Sequence, residues 1–162
     1  MCFYTGSYLP SSGDPYGYYA IVRGYIGEEP APIPMGVTKY SHMSNVDDNG
    51  NKLSNYANSA RFNQVVTIPG ADVLKVTITV GCEVNWDYAC IWEGSHPSWN
   101  AYSYYGSSLC GRFWNNNHTS AEATQTYMVD GDTVTFGFYS DSGGVADGYG
   151  YYAVIEGFTS AE

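Results

Sequence analysis

A chain of 162 residues is long enough to bury one substantial core, so a single domain with an appendage is the expectation. Sixteen acids stand against six bases for a formal charge of -10, which repels phosphate backbones and anionic lipid, argues against nucleic acid as a partner and suits metal cations or neutral ligands. No run of about 18 apolar residues is present to insert in a membrane, while 17 Tyr and 19 Gly among many Thr, Ser and Asn favour short strands joined by turns, an all-β class.

The residues after Met1 show no basic or apolar leader, so no signal peptide is visible and the start looks like an internal cut. Shifting the chain by 133 positions lays its N-terminal segment on its C-terminal one without a gap. Phe3 falls on Phe136, Ser7 on Ser140, Asp14 on Asp147, and Tyr16-Gly17-Tyr18-Tyr19-Ala20 on Tyr149-Gly150-Tyr151-Tyr152-Ala153. Ile21, Val22, Gly24 and Tyr25 then meet Val154, Ile155, Gly157 and Phe158. Such self-similarity implies a tandem array, with residues 1–27 the closing strands of a preceding repeat and 41–162 one full unit. Between them, residues 28–40 open with Glu-Glu-Pro-Ala-Pro-Ile-Pro and read as an extended, semi-rigid linker.

The sequence Val46-Asp47-Asp48-Asn49-Gly50 signals a turn. Asn45, Asp47 and Asn49 imitate the first half of a calcium loop, but the twelfth position is Tyr56 where such a loop needs Glu, so an Asx-rich turn is the expectation. Val65 to Ile68 is a short apolar run closed by Pro69-Gly70. Leu74 to Val80 alternates strictly, with Leu74, Val76, Ile78 and Val80 on one face and Lys75, Thr77 and Thr79 on the other, as a half-buried strand requires. Tyr88 to Trp92, Ala123 to Val129, Thr133 to Tyr139 and Tyr149 to Glu156 read as further strands, separated by Gly, Asn, Asp and Ser clusters. Regularly spaced short strands of this kind make an antiparallel β-sandwich or jelly roll.

Cys2, Cys82, Cys90 and Cys110 lack zinc-ligand spacing and fit disulfides or buried thiols. Alternation in the Tyr88 strand turns Ala89 and Ile91 inward and Cys90 outward, while Cys82 shares the buried parity of Val80. Asn117-His118-Thr119 is a glycosylation sequon or a plain polar loop.

Trp86-Asp87-Tyr88, the strand ending Ile91-Trp92-Glu93-Gly94, Leu109-Cys110-Gly111, and Val134 to Asp141 followed by Gly150-Tyr151-Tyr152-Ala153 together resemble a CUB domain over roughly residues 56 to 158. Ile68-Pro69-Gly70-Ala71, the Asn45-to-Gly50 turn and the Gly-Tyr-Tyr-Ala ending are similar to the CUB-like repeats of large bacterial cell-surface proteins. The resemblance implies a CUB-like β-sandwich and, by the positions of the family's ligands, one Ca2+ held by Glu83, Asp87 and Asp141, with backbone carbonyls around Ser142-Gly143-Gly144 completing the shell. A hard cation taking six to eight oxygens suits that set independently. In the N-terminal remnant the position of Asp141 is Tyr8, so that copy has lost the site. The resemblance also implies a disulfide at Cys110, with Cys90 as the first partner and Cys82 as the alternative.

His42, His96 and His118 lie in turn-rich segments with neither a nucleophile nor metal-ligand spacing, so no catalytic residues are expected. Two non-catalytic functions follow. The first is adhesion or self-assembly of an extracellular, cell-surface or secreted repeat module. The orphan strands of residues 1–25 would then complete a sheet on a neighbouring copy, on an adjacent repeat or on this module, because edge groups and apolar faces need partners. The second is binding of carbohydrate or a protein receptor by Trp92, Trp99, Tyr102, Tyr104, Tyr105 and Trp114, whose flat faces suit sugars and protein contacts.

Overall fold

The computed structural model describes residues 31–110, 123–143 and 148–160. The N-terminal strands expected within residues 1–27, together with Trp114 and the Asn117 sequon, lie outside the described residues. Among the described residues, seven strands form two packed antiparallel sheets, an all-β sandwich. They are β1 (Ile33–His42), β2 (Arg61–Thr67), β3 (Val73–Gly81), β4 (Tyr88–Glu93), β5 (Ala123–Asp130), β6 (Thr133–Tyr139) and β7 (Gly150–Thr159). One sheet has the order β1-β7-β3-β5, the other β2-β6-β4.

The alternation read in β3 is its packing: Leu74, Val76, Ile78 and Val80 are all fully buried. Against them stand Val66, Ala89, Ile91, Val134, Phe136 and Phe138 from the other sheet, with Tyr151, Ala153 and Ile155 of β7 alongside. Each buried Val, Leu, Ile or Phe side chain among them contributes roughly 1.5–3 kcal/mol. One polar link crosses this interior, where Ser41 Oγ lies 2.9 Å from both Gln64 Oε1 and the Tyr151 hydroxyl, so the buried polar groups of β1, β2 and β7 satisfy one another.

β1 corrects the domain boundary, because most of the segment read as a linker is a strand paired with β7 from Ile33↔Thr159 to His42↔Tyr152. Proline hid it. Pro lacks the ladder donor, but β1 lies at the edge of its sheet, where that loss is tolerated. The register shifts between Pro34 and Thr38, with Gly36 at φ 71° inside the irregularity, a conformation that glycine adopts without steric cost.

The second structural addition lies outside the β2-β6-β4 sheet. A four-residue helix α1 (Ala101–Tyr104), whose Asn100 side chain accepts from the Ser103 amide at 3.0 Å, runs into a 3-10 turn at Tyr105–Ser107. Ala101 packs with Tyr88, Cys90 and Trp92 into a small second core on the outer face of β4.

Candidate metal centre

The site forms at one rim of the sandwich. Directly after β3, residues 83 to 87 turn back, with the Asp87 amide donating to the Glu83 carbonyl at 3.2 Å. Asn85 takes φ 72° there, the left-handed region that Asn enters more readily than most residues. This tight reversal brings Glu83 and Asp87 together. Asp141 arrives from the end of β6, where its amide donates to Asp87 Oδ1 at 2.8 Å and its own Oδ1 accepts from the Gly143 amide at 2.9 Å. Oxygens of Glu83, Asp87 and Asp141, the three residues singled out in the sequence, lie within 4.8 Å of one another.

Tyr56 organises two of the three. Its hydroxyl donates to Asp87 Oδ2 at 2.5 Å and accepts from the Glu83 amide at 2.8 Å, while its ring packs edge-on against Phe138, with ring centres 5.0 Å apart. Nothing in the sequence marks Tyr56 for this role, since one Tyr among 17 carries no distinguishing signal. Ser140 holds the third arm. Its buried hydroxyl donates to the Ala57 carbonyl and accepts from the Ala60 amide, tying the end of β6 to the segment that carries Tyr56.

Electrostatics set Glu83 and Asp87 apart from solvated loop carboxylates. Burial first, then the charges of Asp87 and Asp141, push the Glu83 carboxyl above its ordinary range. Asp87 is raised as well, chiefly by burial, even though hydrogen bonds from Tyr56 and the Asp141 amide favour its ionised form. Burial also raises Tyr56, which stays a neutral donor. Arg61 offers limited relief: its guanidinium is spent on the Ala60 and Ser140 carbonyls and lies 3.9 Å above the Tyr139 ring, although its charge still draws Asp87 down.

These residues fit a hard cation. Two oxygens bound at about 2.3–2.6 Å can stand at most about 5 Å apart, and the observed spread lies inside that limit. Glu83 Oε2 is a buried oxygen with no hydrogen-bond donor among the described residues, so it keeps its lone pairs for a ligand. An all-carboxylate set suits calcium better than the softer transition metals.

The second calcium-like pattern is a turn satisfied from within. Asp47 Oδ1 accepts the Asn49 and Asn51 amides at 2.9 and 2.8 Å, and Oδ2 accepts the Asn51 side chain at 2.9 Å. Those bonds, led by the Asn51 side chain, lower the Asp47 carboxyl. Asn45 turns inward, donating to the Ser54 and Tyr149 carbonyls. An Asp47→Ala variant is therefore expected to leave calcium stoichiometry by isothermal titration unchanged, and two ions lost together would contradict this.

The aromatic candidates separate by burial. Trp92 is 1% exposed, its indole N–H donating to the Tyr104 carbonyl, so this residue serves the second core and offers no face to a ligand. The reason is helix α1, which covers the outer face of β4 that alternation alone would leave open. Trp99 is sandwiched between His96, at a centroid distance of 3.6 Å, and Tyr104, at 4.6 Å. Tyr102, Tyr104 and Tyr105 remain exposed, and Tyr102 stacks on Tyr139.

Cys90 and Cys110 do not form the bridge implied by the resemblance. Cys90 belongs to the outer core with Trp92, whereas Cys110 packs against the main core, so the two lie on opposite sides of β4. Cys82 is a core residue whose Sγ donates to the Asp87 carbonyl at 3.2 Å. Burial raises the Cys110 thiol.

Compared with known proteins, the chain matches no protein-family model and none of the curated proteins.

Proposed function

We propose that this chain is a non-catalytic, CUB-like module that binds Ca2+ through Glu83, Asp87 and Asp141 and works outside the cell in adhesion or self-assembly of a repetitive surface protein. The observation that carries the reading is three carboxylates from separate segments meeting within 4.8 Å at a partly desolvated rim, with a buried Glu83 oxygen left without a donor among the described residues. Mutual repulsion makes that arrangement costly for the folded protein alone, and a divalent cation reverses the sign of the interaction. Trp86, 61% exposed next to Asp87, gives the same rim an apolar contact beside the charge.

Assembly rests on the repeat. Residues 17–25 repeat the sequence pattern of β7, and Phe3 falls on Phe136 of β6; a strand of that pattern would need neighbours. Light scattering of the full chain in calcium is expected to show concentration-dependent association that residues 1–25 support. Unchanged association after their deletion would defeat the assembly reading, and calorimetry without a calcium heat would defeat the metal reading.

A further inference from the structure

Each open sheet ends in two edge strands, and an edge offers its unpaired amides and carbonyls to any other strand that reaches it. Among the described residues, three of the four edges are guarded. β1 carries Pro34 and the irregularity around Gly36, neither of which suits a continuous ladder. β2 starts at Arg61, and its Thr67 carbonyl accepts from the Lys39 ammonium at 2.6 Å. β4 is closed from outside, because the Ile91 amide donates to Ser108 Oγ at 2.9 Å and the Ile91 carbonyl accepts the Leu109 amide at 2.7 Å.

β5 has none of these devices. It holds an unbroken register with β3 from Ala123↔Val80 to Asp130↔Val73, contains neither Pro nor Gly, and carries no charge before Asp130. Its far side has no strand neighbour among the described residues. Thr124, Gln125, Thr126 and Met128 are all exposed, Met128 by 55%. In a protein of formal charge -10, an uncharged edge is the place where two copies meet without acid facing acid.

Deepening the assembly reading above, on which it rests, we propose that β5 is a self-pairing edge, joined antiparallel to β5 of a second copy about a twofold axis at Tyr127. Charge selects that register. A twofold at Thr126 would set Asp130 opposite Glu122 of the other copy, whereas one at Tyr127 sets Asp130 opposite Thr124. Thr126 then faces Met128, Gln125 faces Val129, and Tyr127 faces its own counterpart, each pair sharing a face of the joined sheet. Thr124 and Thr126 are already held by Thr79 and Thr77, with hydroxyls 2.8 and 3.1 Å apart, so pairing orders little that is free.

The twofold brings Thr126 and Met128 together twice, and charges placed there in the full chain test it by sedimentation velocity across a concentration series at physiological salt. T126E/M128E and T126K/M128K put like charges opposite each other, so both should weaken association about tenfold although they move the net charge in opposite directions. T126K/M128E puts opposite charges there and should associate at least as tightly as wild type. Urea midpoints close to wild type check that all three variants fold. A monomeric wild type, equal association in all three variants, or a T126K/M128E protein as weak as the like-charged pair would each overturn self-pairing. A dimer that appears only after residues 1–25 are deleted would give the edge to that segment and overturn it too. If deleting residues 1–25 abolishes association and the charge variants leave it untouched, the edge fails while the assembly reading stands. If the deletion changes nothing and the charge variants behave as stated, the N-terminal contribution fails while the edge stands.

Discussion

Saturating calcium is expected to raise the unfolding midpoint of this protein at pH 7 by about 10 °C, and excess EDTA to return it, since ligand at about 100 times its dissociation constant adds about 2.7 kcal/mol to a domain of this size. The pH dependence should separate calcium binding from a general salt effect, because it changes sign with the metal. Without calcium, Glu83 and Asp87 have folded pKa values above their unfolded ones near 4. Folding then takes up protons, so their stabilising contribution is fully present below the unfolded values and is lost as pH rises through the raised ones. With calcium bound, the folded carboxyls are held ionised, folding releases protons, and stability is lost as pH falls. Thermal melts between pH 4 and 7 in EDTA and in calcium should therefore slope in opposite directions across the acidic window. Parallel slopes in the two series would remove the three acids as the metal site.

The parts of this fold legible in the sequence are those where local pattern and tertiary environment agree. β3 alternates because one face meets the core and the other meets solvent, and β6 runs from the Gly131 turn, at φ 84°, to Ser140 as the pattern indicated. β1 was illegible because Pro32, Pro34 and Gly36 speak for a linker, and only its position at the sheet edge makes them acceptable. Trp92 was misjudged for a related reason. Alternation turns Tyr88, Cys90 and Trp92 away from the main core, and nothing local reveals that α1 folds back to cover them. At the site, the acids stood out because their spacing matched a known ligand set. Tyr56 did not, because its part in the site depends on a hydroxyl reaching Asp87 across 31 positions of chain.

That hydroxyl supports the second large expectation, in which two near-isosteric substitutions have different signatures. Tyr56→Phe leaves the ring on Phe138 but strips a donor from Asp87 and an acceptor from the Glu83 amide. Two groups lose a partner in a partly dry setting, so the variant should lose roughly 2–4 kcal/mol by chemical denaturation whether or not calcium is present. Asp87→Asn removes one charge from the cluster and so relieves repulsion in the metal-free protein. Asn keeps only one of the two acceptor oxygens that Tyr56 and the Asp141 amide use, so the relief of repulsion is partly offset and the variant's stability in EDTA should fall by less than that of Tyr56→Phe, while the calcium-dependent rise in midpoint disappears. Because the two residues share a hydrogen bond, the double variant should cost less than the sum of the single losses. Strict additivity would mean that the Tyr56 hydroxyl and Asp87 act separately, and a calcium response retained in Asp87→Asn would show that the ion, if bound, sits elsewhere. The cycle thus separates the scaffold that holds the acids from the charge that draws the cation, two contributions that a single deletion at this rim would merge.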